Sequence, residues 1–227
     1  MADLKLAAAS LLSETDASPD LDHRQASSES FRRRLFRAIA VPVLRCVAGF
    51  FFSRKYLRGR FFDSQFGGWI WVWRSLWTQK LVGINRHIPW PVSPSIAISN
   101  ARNLIFHVDD INNFQTMGCY FQNFGAVIRI GRGTFIAPNV GIITSNHDKT
   151  NLDNHLPGQD VTIGERCWIG MNAVILPGVV LGPETIVGAG AVVTKSFPEG
   201  RCSLAGVPAR VICRQTEISS RAVVAVQ

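Results

Sequence analysis

The sequence has no uncharged apolar run of about 18 residues, so a simple transmembrane helix is not predicted. Its five cysteines lack the paired spacing of a disulfide framework or a zinc ribbon, which favours a reduced, cytoplasmic setting. Charged residues make up only 18% of the 227 positions and apolar residues 47%, so global disorder is excluded. This length is typical of one or two domains.

Acidic residues are absent from residues 32–62, which hold nine bases. Residues 1–31 have the opposite balance, with six acids against two bases. The net charge of +8 is therefore concentrated in one segment. We do not expect a nucleic-acid partner, because no recognition motif accompanies the basic stretch.

Two different segments make up the first part of the chain. Residues 1–30 are rich in Ala, Ser and Asp and predict a disordered tail. Residues 31–95 are basic, then apolar and aromatic, and predict a helical region. This pattern is typical of peripheral contact with the inner face of a membrane through residues 31–90. It equally fits helices whose apolar faces cap the main domain.

A period of six residues governs the second half of the chain. Branched aliphatics recur at six steps: Ile163, Ile169, Ile175, Leu181, Val187 and Val193. Glycine follows four of them, and the same register occurs earlier at Ile130, Ile136 and Ile142. Neither an α-helix nor an ordinary strand has this period. A short strand and a turn on each side of a triangular solenoid do have it, with the aliphatics pointing inward.

Three such sides close one coil of 18 residues, which advances the chain by about 4.8 Å. We expect full coils at residues 130–147, 163–180 and 181–198. The polar stretch 148–162 breaks the register and contains Pro157-Gly158, so it predicts an extruded loop. The repeat domain spans residues 96–208, and residues 209–227 form a tail or a short helix.

Three further motifs accompany the hexads: WIG at 168–170, VGAGAVVTK at 187–195 and AGVPAR at 205–210. Together they resemble the hexapeptide-repeat O-acetyltransferases of the galactoside, maltose, nodulation and polysaccharide-biosynthesis types. The resemblance covers about residues 98–213. It implies a mainly β fold, a left-handed parallel β-helix solenoid with an α-helical, aromatic amino-terminal region and an extruded loop. It also implies an acetyl-CoA-dependent transferase that acylates a hydroxyl of a sugar or lipid-linked glycan.

His147 is the candidate general base, since it directly precedes the loop, where the family keeps its catalytic histidine. Imidazole titrates near neutrality and can take a proton and return it. The competing interpretation is an exposed or capping histidine, and His107, His87 and His155 are alternative bases. For the acceptor, Asn139 matches a sugar-binding asparagine of the family, although Asn is also favoured in turns. Asp109 and Asn113 are further candidate acceptor contacts.

The resemblance also implies a coenzyme groove. Trp168 would flank the thioester arm, the backbone at Met171 and Ala189 would bond the pantetheine amides, and three residues would meet the phosphates: Thr194, Lys195 and Arg210. Met171 departs from the small hydroxyl residue of some relatives. No metal is expected. Relatives place the site between subunits of a homotrimer, which this sequence permits.

Three alternatives remain open at this point. A serine acetyltransferase is one, although its helical amino-terminal domain is longer. A non-catalytic solenoid that binds a membrane or a partner through residues 31–90 is the second. The third is a zinc enzyme of the γ-carbonic anhydrase type, which needs three converging histidines. The spacings between His107, His147 and His155 do not place them on adjacent equivalent sides.

Overall fold

The structure is a computed structural model that describes residues 36–214, with side chains from residue 38 onward. The chain divides into two compact units, residues 1–43 and 44–227. Of the first unit, the structure describes residues 36–43, which include a π-helical turn over Phe36–Ala40. Helix α1, Val41–Ala48, follows that turn and crosses the boundary. The predicted tail at 1–30 and residues 215–227 lie outside the described part.

Short helical segments open the second unit. Helix α2 spans Gly67–Ser75, and single turns flank it at Arg54–Tyr56, Arg60–Ser64 and Leu76–Val82. None of the helices within residues 36–214 is long and apolar enough to cross a membrane.

Four of the five tryptophans of this region divide into two groups, and Trp71 is half-buried. Trp69 and Trp90 are buried, and the Trp69 indole donates to the carbonyl of Phe62 at 3.1 Å. Trp73 and Trp77, by contrast, are 77% and 66% exposed. The aromatic segment thus packs into the core with one face and presents another to its surroundings.

The rest of the second unit is built from short strands that form three sheets. Their bounds are β1 Ala97–Ile98, β2 Leu104–Ile105, β3 Tyr120–Gln122, β4 Ile128–Ile130, β5 Phe135–Ile136, β6 Gly141–Ile143, β7 Val161–Ile163, β8 Trp168–Ile169, β9 Val174–Ile175, β10 Val180–Leu181, β11 Ile186–Val187, β12 Val192–Val193, β13 Cys202–Ala205 and β14 Arg210–Arg214. Sheet I has the order β1-β3-β6-β9-β12, sheet II β10-β7-β4-β2, and sheet III β14-β13-β11-β8-β5. From β3 to β12 the chain visits the three sheets in turn, and these strands pair in parallel.

The aliphatic ladder points inward, as the period of six predicts. Ile169 pairs with Val187 and Ile175 with Val193, so partners are 18 residues apart. All nine aliphatics of the ladder are at most 5% exposed. Stacked branched side chains fill the interior because each lies over its equivalent in the next coil.

The turns that join the sheets are tightly stacked, and we name these corners by the sheets they connect. A Cβ on Gly182, at the II/III corner, would lie 2.2 Å from the carbonyl oxygen of Pro198. At the III/I corner, Asn139, Asn172 and Gly190 have φ of 60°, 61° and 69° and repeat the same left-handed turn.

Two segments differ from the sequence prediction. Residues 210–214 of the expected tail or short helix form β14, which pairs antiparallel with β13. Strand β7 begins at Val161, so it includes the last two residues of the predicted loop. Both differences reflect backbone pairing with a neighbouring strand, which the hexad pattern does not encode. In addition, the 3₁₀ segment Val108–Phe114 lies between β2 and β3 and contacts β5.

Candidate active site

His147 lies at the I/II corner, just after the carboxyl end of β6, and it is exposed. The loop that follows folds back on itself, so that residues 147 and 155 form an antiparallel bridge. The N–H of Leu156 donates to the carbonyl of Asn146 at 2.8 Å, and the hydroxyl of Ser145 donates to the carbonyl of Leu156 at 2.7 Å. The extruded loop is therefore hydrogen-bonded to the corner that carries His147.

The loop also fixes the tautomer of this histidine. His147 Nδ1 lies 2.7 Å from the carbonyl oxygen of Leu152. A carbonyl only accepts, so Nδ1 carries the proton and donates it. In the neutral ring Nε2 then holds the lone pair. A histidine held in this way by a backbone carbonyl has the form that a general base requires.

One ring contacts the imidazole of His147, and a second ring contacts the first. His155 lies 4.2 Å from His147 between ring centroids, and Phe124 meets His155 edge-on at 5.0 Å. Beside them the Thr150 hydroxyl and N–H both donate to Asp148, at 2.7 and 2.8 Å. The hydroxyl bond is the main reason why the pKa of Asp148 is below its ordinary value. An ionised Asp148 thus holds the turn at Thr150, two residues before Leu152.

Met171 and Ala189 come together at a different place, the III/I corner, where the N–H of Gly190 donates to the carbonyl of Met171 at 2.8 Å. Both side chains are exposed, and Met171 is 47% exposed. Among residues 36–214 the backbone N–H of Ala189 has no hydrogen-bond partner. A Cβ on Gly190 would meet nothing within 4 Å. This corner therefore offers open space and a free backbone donor.

Trp168 and Asn139 flank the same corner. Trp168 is 56% exposed on the outer face of sheet III, in register with Phe135 and Ile186. Asn139 lies one coil earlier at the corner, with its positive φ. The αL conformation by itself explains an asparagine at this position, while its exposed amide remains available to a ligand.

The residues predicted to meet phosphates lie near opposite ends of strand β12. Thr194 and Lys195 are exposed and follow the carboxyl end of β12, at the I/II corner. Arg210 is exposed and follows Ala209, whose N–H donates to the carbonyl of Val192 at 2.8 Å, at the start of β12. The structure does not gather these three residues into one cluster within a single chain.

Asp109 and Asn113 lie away from the I/II and III/I corners. Asp109 is at the II/III corner, where Arg132 approaches its carboxylate at 3.3 Å. Asn113 is 1% exposed. Its amide donates to the carbonyl of Thr134 at 2.8 Å and accepts from the N–H of Ile136 at 2.9 Å. Asn113 thus substitutes for a paired strand along β5, and its burial keeps its amide out of reach of an acceptor.

No group of three or more His, Cys, Asp or Glu able to hold a metal occurs among residues 36–214. His107 is far along the chain from the loop histidines and accepts the N–H of Asp109 at 3.2 Å. The sequence did not predict the hydrogen bond between His147 and the carbonyl of Leu152, because a backbone carbonyl has no signature in a sequence. The sequence indicated only that a loop follows His147.

Comparisons with known proteins bear on the repeat region. Residues 160–195 match the family model for the bacterial transferase hexapeptide (six repeats). The galactoside O-acetyltransferase of Escherichia coli (strain K12) is 36% identical over 102 residues, 41% of this chain and 50% of that protein. Nodulation protein L of Rhizobium meliloti (strain 1021) is 42% identical over 115 residues, 47% of this chain and 62% of that protein. The chain spans about half the length of the curated relatives it matches.

Among solved structures, a galactoside acetyltransferase in complex with coenzyme A matches 80% of this chain and 86% of its own, with 23% identity and a TM-score of 0.50. At this identity the likeness concerns the fold. Taken with the repeat match, it confirms the resemblance predicted from the sequence: residues 160–195 match the bacterial transferase hexapeptide model, and the chain is similar to the hexapeptide-repeat acetyltransferases.

Proposed function

We propose that this protein is an acetyl-CoA-dependent O-acetyltransferase that acylates a hydroxyl of a sugar or lipid-linked glycan, built on a left-handed parallel β-helix. The observation that carries the proposal is the bond from His147 Nδ1 to the carbonyl of Leu152, which leaves Nε2 as the proton acceptor. The likeness to a galactoside O-acetyltransferase supports the sugar hydroxyl as acceptor.

The III/I corner fits a coenzyme arm that is rich in amides. The N–H of Ala189 is free to donate, and the small residues Ala189 and Gly190 let an extended arm approach the backbone. Trp168 offers an exposed ring beside this path. Thr194, Lys195 and Arg210 lie at the two ends of β12 and supply the positive charge and the hydroxyl that phosphates would need.

The chemistry needs one proton to move twice. His147 Nε2 takes the proton of the acceptor hydroxyl as its oxygen bonds to the acetyl carbonyl carbon. The carbon–sulfur bond then breaks, and the imidazolium returns the proton to the departing thiolate. The products are the acetyl ester and the free thiol of the coenzyme. The acceptor side of the site includes Asn139 in this proposal. Asn113 is buried against β5 and Asp109 lies at the II/III corner, so neither is part of it.

A homotrimer is part of the proposal, and the geometry of sheet I supports it. His147 follows the carboxyl end of β6, whereas Met171 and Ala189 precede the amino ends of β9 and β12 in the same parallel sheet. The proposed base and the proposed groove therefore lie at opposite ends of the strands of sheet I. A neighbouring copy that places its own groove against His147 would complete the site.

The first test replaces His147 with Gln. We expect acetyl transfer from acetyl-CoA to a panel of glycosides to fall by about 10²–10⁴, because the side chain loses its proton acceptor. The affinity for coenzyme A should stay the same, since the groove lies elsewhere. His87→Gln is the matched control, because its amide can still donate to the carbonyl of Ile98, which His87 Nε2 contacts at 2.9 Å.

Turnover of His147→Gln at the level of His87→Gln would remove His147 from the mechanism. The non-catalytic alternative makes a separate prediction, that acetyl-CoA does not bind at all. Thermal unfolding with and without the coenzyme distinguishes the two, because a ligand that binds the folded chain raises the midpoint increasingly as its concentration exceeds the Kd.

Peripheral membrane contact is the second part of the proposal. Ile70, Trp73, Trp77 and Leu81 lie on one side of α2 and the turn after it, at helical spacing, and each is at least 50% exposed. Arg74 lies among them and is exposed. Tryptophans with neighbouring bases fit the interface of an anionic phospholipid bilayer.

Trp73→Ser/Trp77→Ser tests this contact. The loss of two exposed indole rings should weaken binding to phosphatidylglycerol-containing vesicles by roughly tenfold or more. Ile212→Ser is the control, because Ile212 is 68% exposed on β14. Co-sedimentation with vesicles measures both variants, and equal binding of the two would refute the membrane contact.

A further inference from the structure

A cavity of about 410 Å³ opens beside the first coil, away from both corners of the proposed active site. It lies against β2, the edge strand of sheet II, and against the turn Arg54–Tyr56. We call it the basal cavity and define it by six of its lining residues: Lys55, Tyr56, Arg58, Arg102, Phe106 and His107.

The basal cavity has cations without acids. Lys55, Arg58 and Arg102 line it and are exposed, and none of them forms an ion pair with an acid among residues 36–214. No Asp or Glu is among the lining residues. Three unpaired cations on one concave surface repel one another, so a bound anion would relieve that repulsion.

Asp109 is the acid next to this cavity, and it is already engaged. Its carboxylate contacts His107 Nδ1 at 3.5 Å, but it also accepts the N–H of Arg60 at 2.8 Å and pairs with Arg132 at 3.3 Å. Asp109 thus balances the bases at the II/III corner and leaves the charge of the cavity uncompensated.

Two more features of the lining point to the kind of anion. Within residues 36–214 the backbone N–H groups of Phe106 and His107 have no hydrogen-bond partner. The rings of Tyr56 and Phe106 stack on each other at 5.5 Å and 12°, and both residues line the cavity, which gives it an aromatic wall. Its volume exceeds what a single inorganic anion fills and lies in the range of small-molecule sites.

We propose that the basal cavity binds a phosphate or diphosphate ester. Arginine forks match phosphoryl oxygens bidentately, Lys55 adds a point charge, and the aromatic wall contacts the organic part of the ester. This site is separate from the proposed acetyl-transfer site, and it stands whether or not the chain is an acetyltransferase. The ester is either a soluble sugar or nucleoside phosphate or the headgroup of a lipid.

Calorimetric titration with uridine 5′-diphosphate and with inorganic diphosphate tests the proposal on the full chain. We expect saturable binding that weakens about tenfold or more in Arg58→Gln/Arg102→Gln, since each loses a charge-assisted bond. Arg86→Gln/Arg214→Gln is the matched control, because it removes the same charge from two exposed arginines outside the cavity. Circular dichroism checks that both variants fold.

A second arm separates the two sources of the ester. Vesicles of phosphatidylglycerol in phosphatidylcholine are titrated with the same variants. A loss confined to the soluble ligands identifies a soluble ester, and a loss confined to the vesicles identifies a lipid headgroup; either result supports the site. Equal behaviour of the two double variants in both arms, or no saturable binding by the native chain in either, overturns it.

Discussion

Asp110 is a buried carboxyl, 3% exposed, whose side chain accepts the N–H of Gly133 at 2.8 Å. Burial raises its pKa above the ordinary value, and the bond from Gly133 and the charge of Arg60 only partly oppose that effect. A raised pKa means that the folded chain holds this proton more tightly than the unfolded chain. The stability that this proton contributes is fully present below the pKa of Asp110 in the unfolded chain. It is lost as the pH rises through the pKa of Asp110 in the folded chain.

We therefore expect Asp110→Asn to gain stability relative to the native chain as the pH rises from about 3.5 to 7. The Asn oxygen still accepts from Gly133, while the cost of a buried charge, about 1–3 kcal/mol, is removed. Urea unfolding at several pH values measures the difference. A difference that is constant with pH, or one that shrinks as the pH rises, would show that Asp110 is not the titrating group.

At the level of residues, the sequence predicted the positions of some side chains but not their hydrogen bonds. The position of His147 beside the extruded loop could be predicted, because this residue stands directly before a break in the period. Its orientation by Leu152 could not, since a backbone carbonyl is the same in every residue. Asn113 was predicted to face the acceptor from its type, but burial and two bonds to β5 backbone give it a structural use that residue type does not encode.

At the level of elements, the inward ladder allows a direct test of the packing between the stacked strands. Ile175 is fully buried between Ile142 and Val193, its partners in the neighbouring strands. Ile175→Ala should cost about 2–5 kcal/mol, because a rigid stack cannot collapse onto the cavity. Val174→Ala, one residue earlier on the outer face, should cost less than about 1 kcal/mol. Denaturant unfolding measures both, and equal costs would contradict the inward orientation.

The period of six was sufficient to predict the sheets from β4 to β12, since each hexad repeats the same inward residue. It was not sufficient at the ends of the stack. Between β2 and β3 a 3₁₀ segment takes the place of a strand, and at the other end β14 runs antiparallel to β13. End segments cover an exposed strand edge, and the way they do so depends on pairing in space rather than on a repeat.

At the level of the whole molecule, the winding distributes the candidate residues over three corners. Asn139, Met171 and Ala189 lie at the III/I corner, and His147 lies at the I/II corner with Lys195. Asp109 lies at the II/III corner. Spacing along the sequence could not reveal this separation, because the corner on which a residue falls depends on its phase within a coil. If the base and the groove act together, either the coenzyme arm crosses sheet I or two copies share a site.

Complementation between inactive variants distinguishes these two arrangements. Ala189→Trp should block the groove at an exposed corner, and His147→Gln should remove the base, so each chain alone is inactive. If one copy supplies the base and its neighbour the groove, co-expression restores about a quarter of native activity, the chance that both native halves meet at one interface. His147→Gln co-expressed with His147→Gln/Ala189→Trp is the control and should stay inactive. Purified mixed oligomers assayed for acetyl transfer give the answer, and activity no higher than this control would place base and groove within one chain.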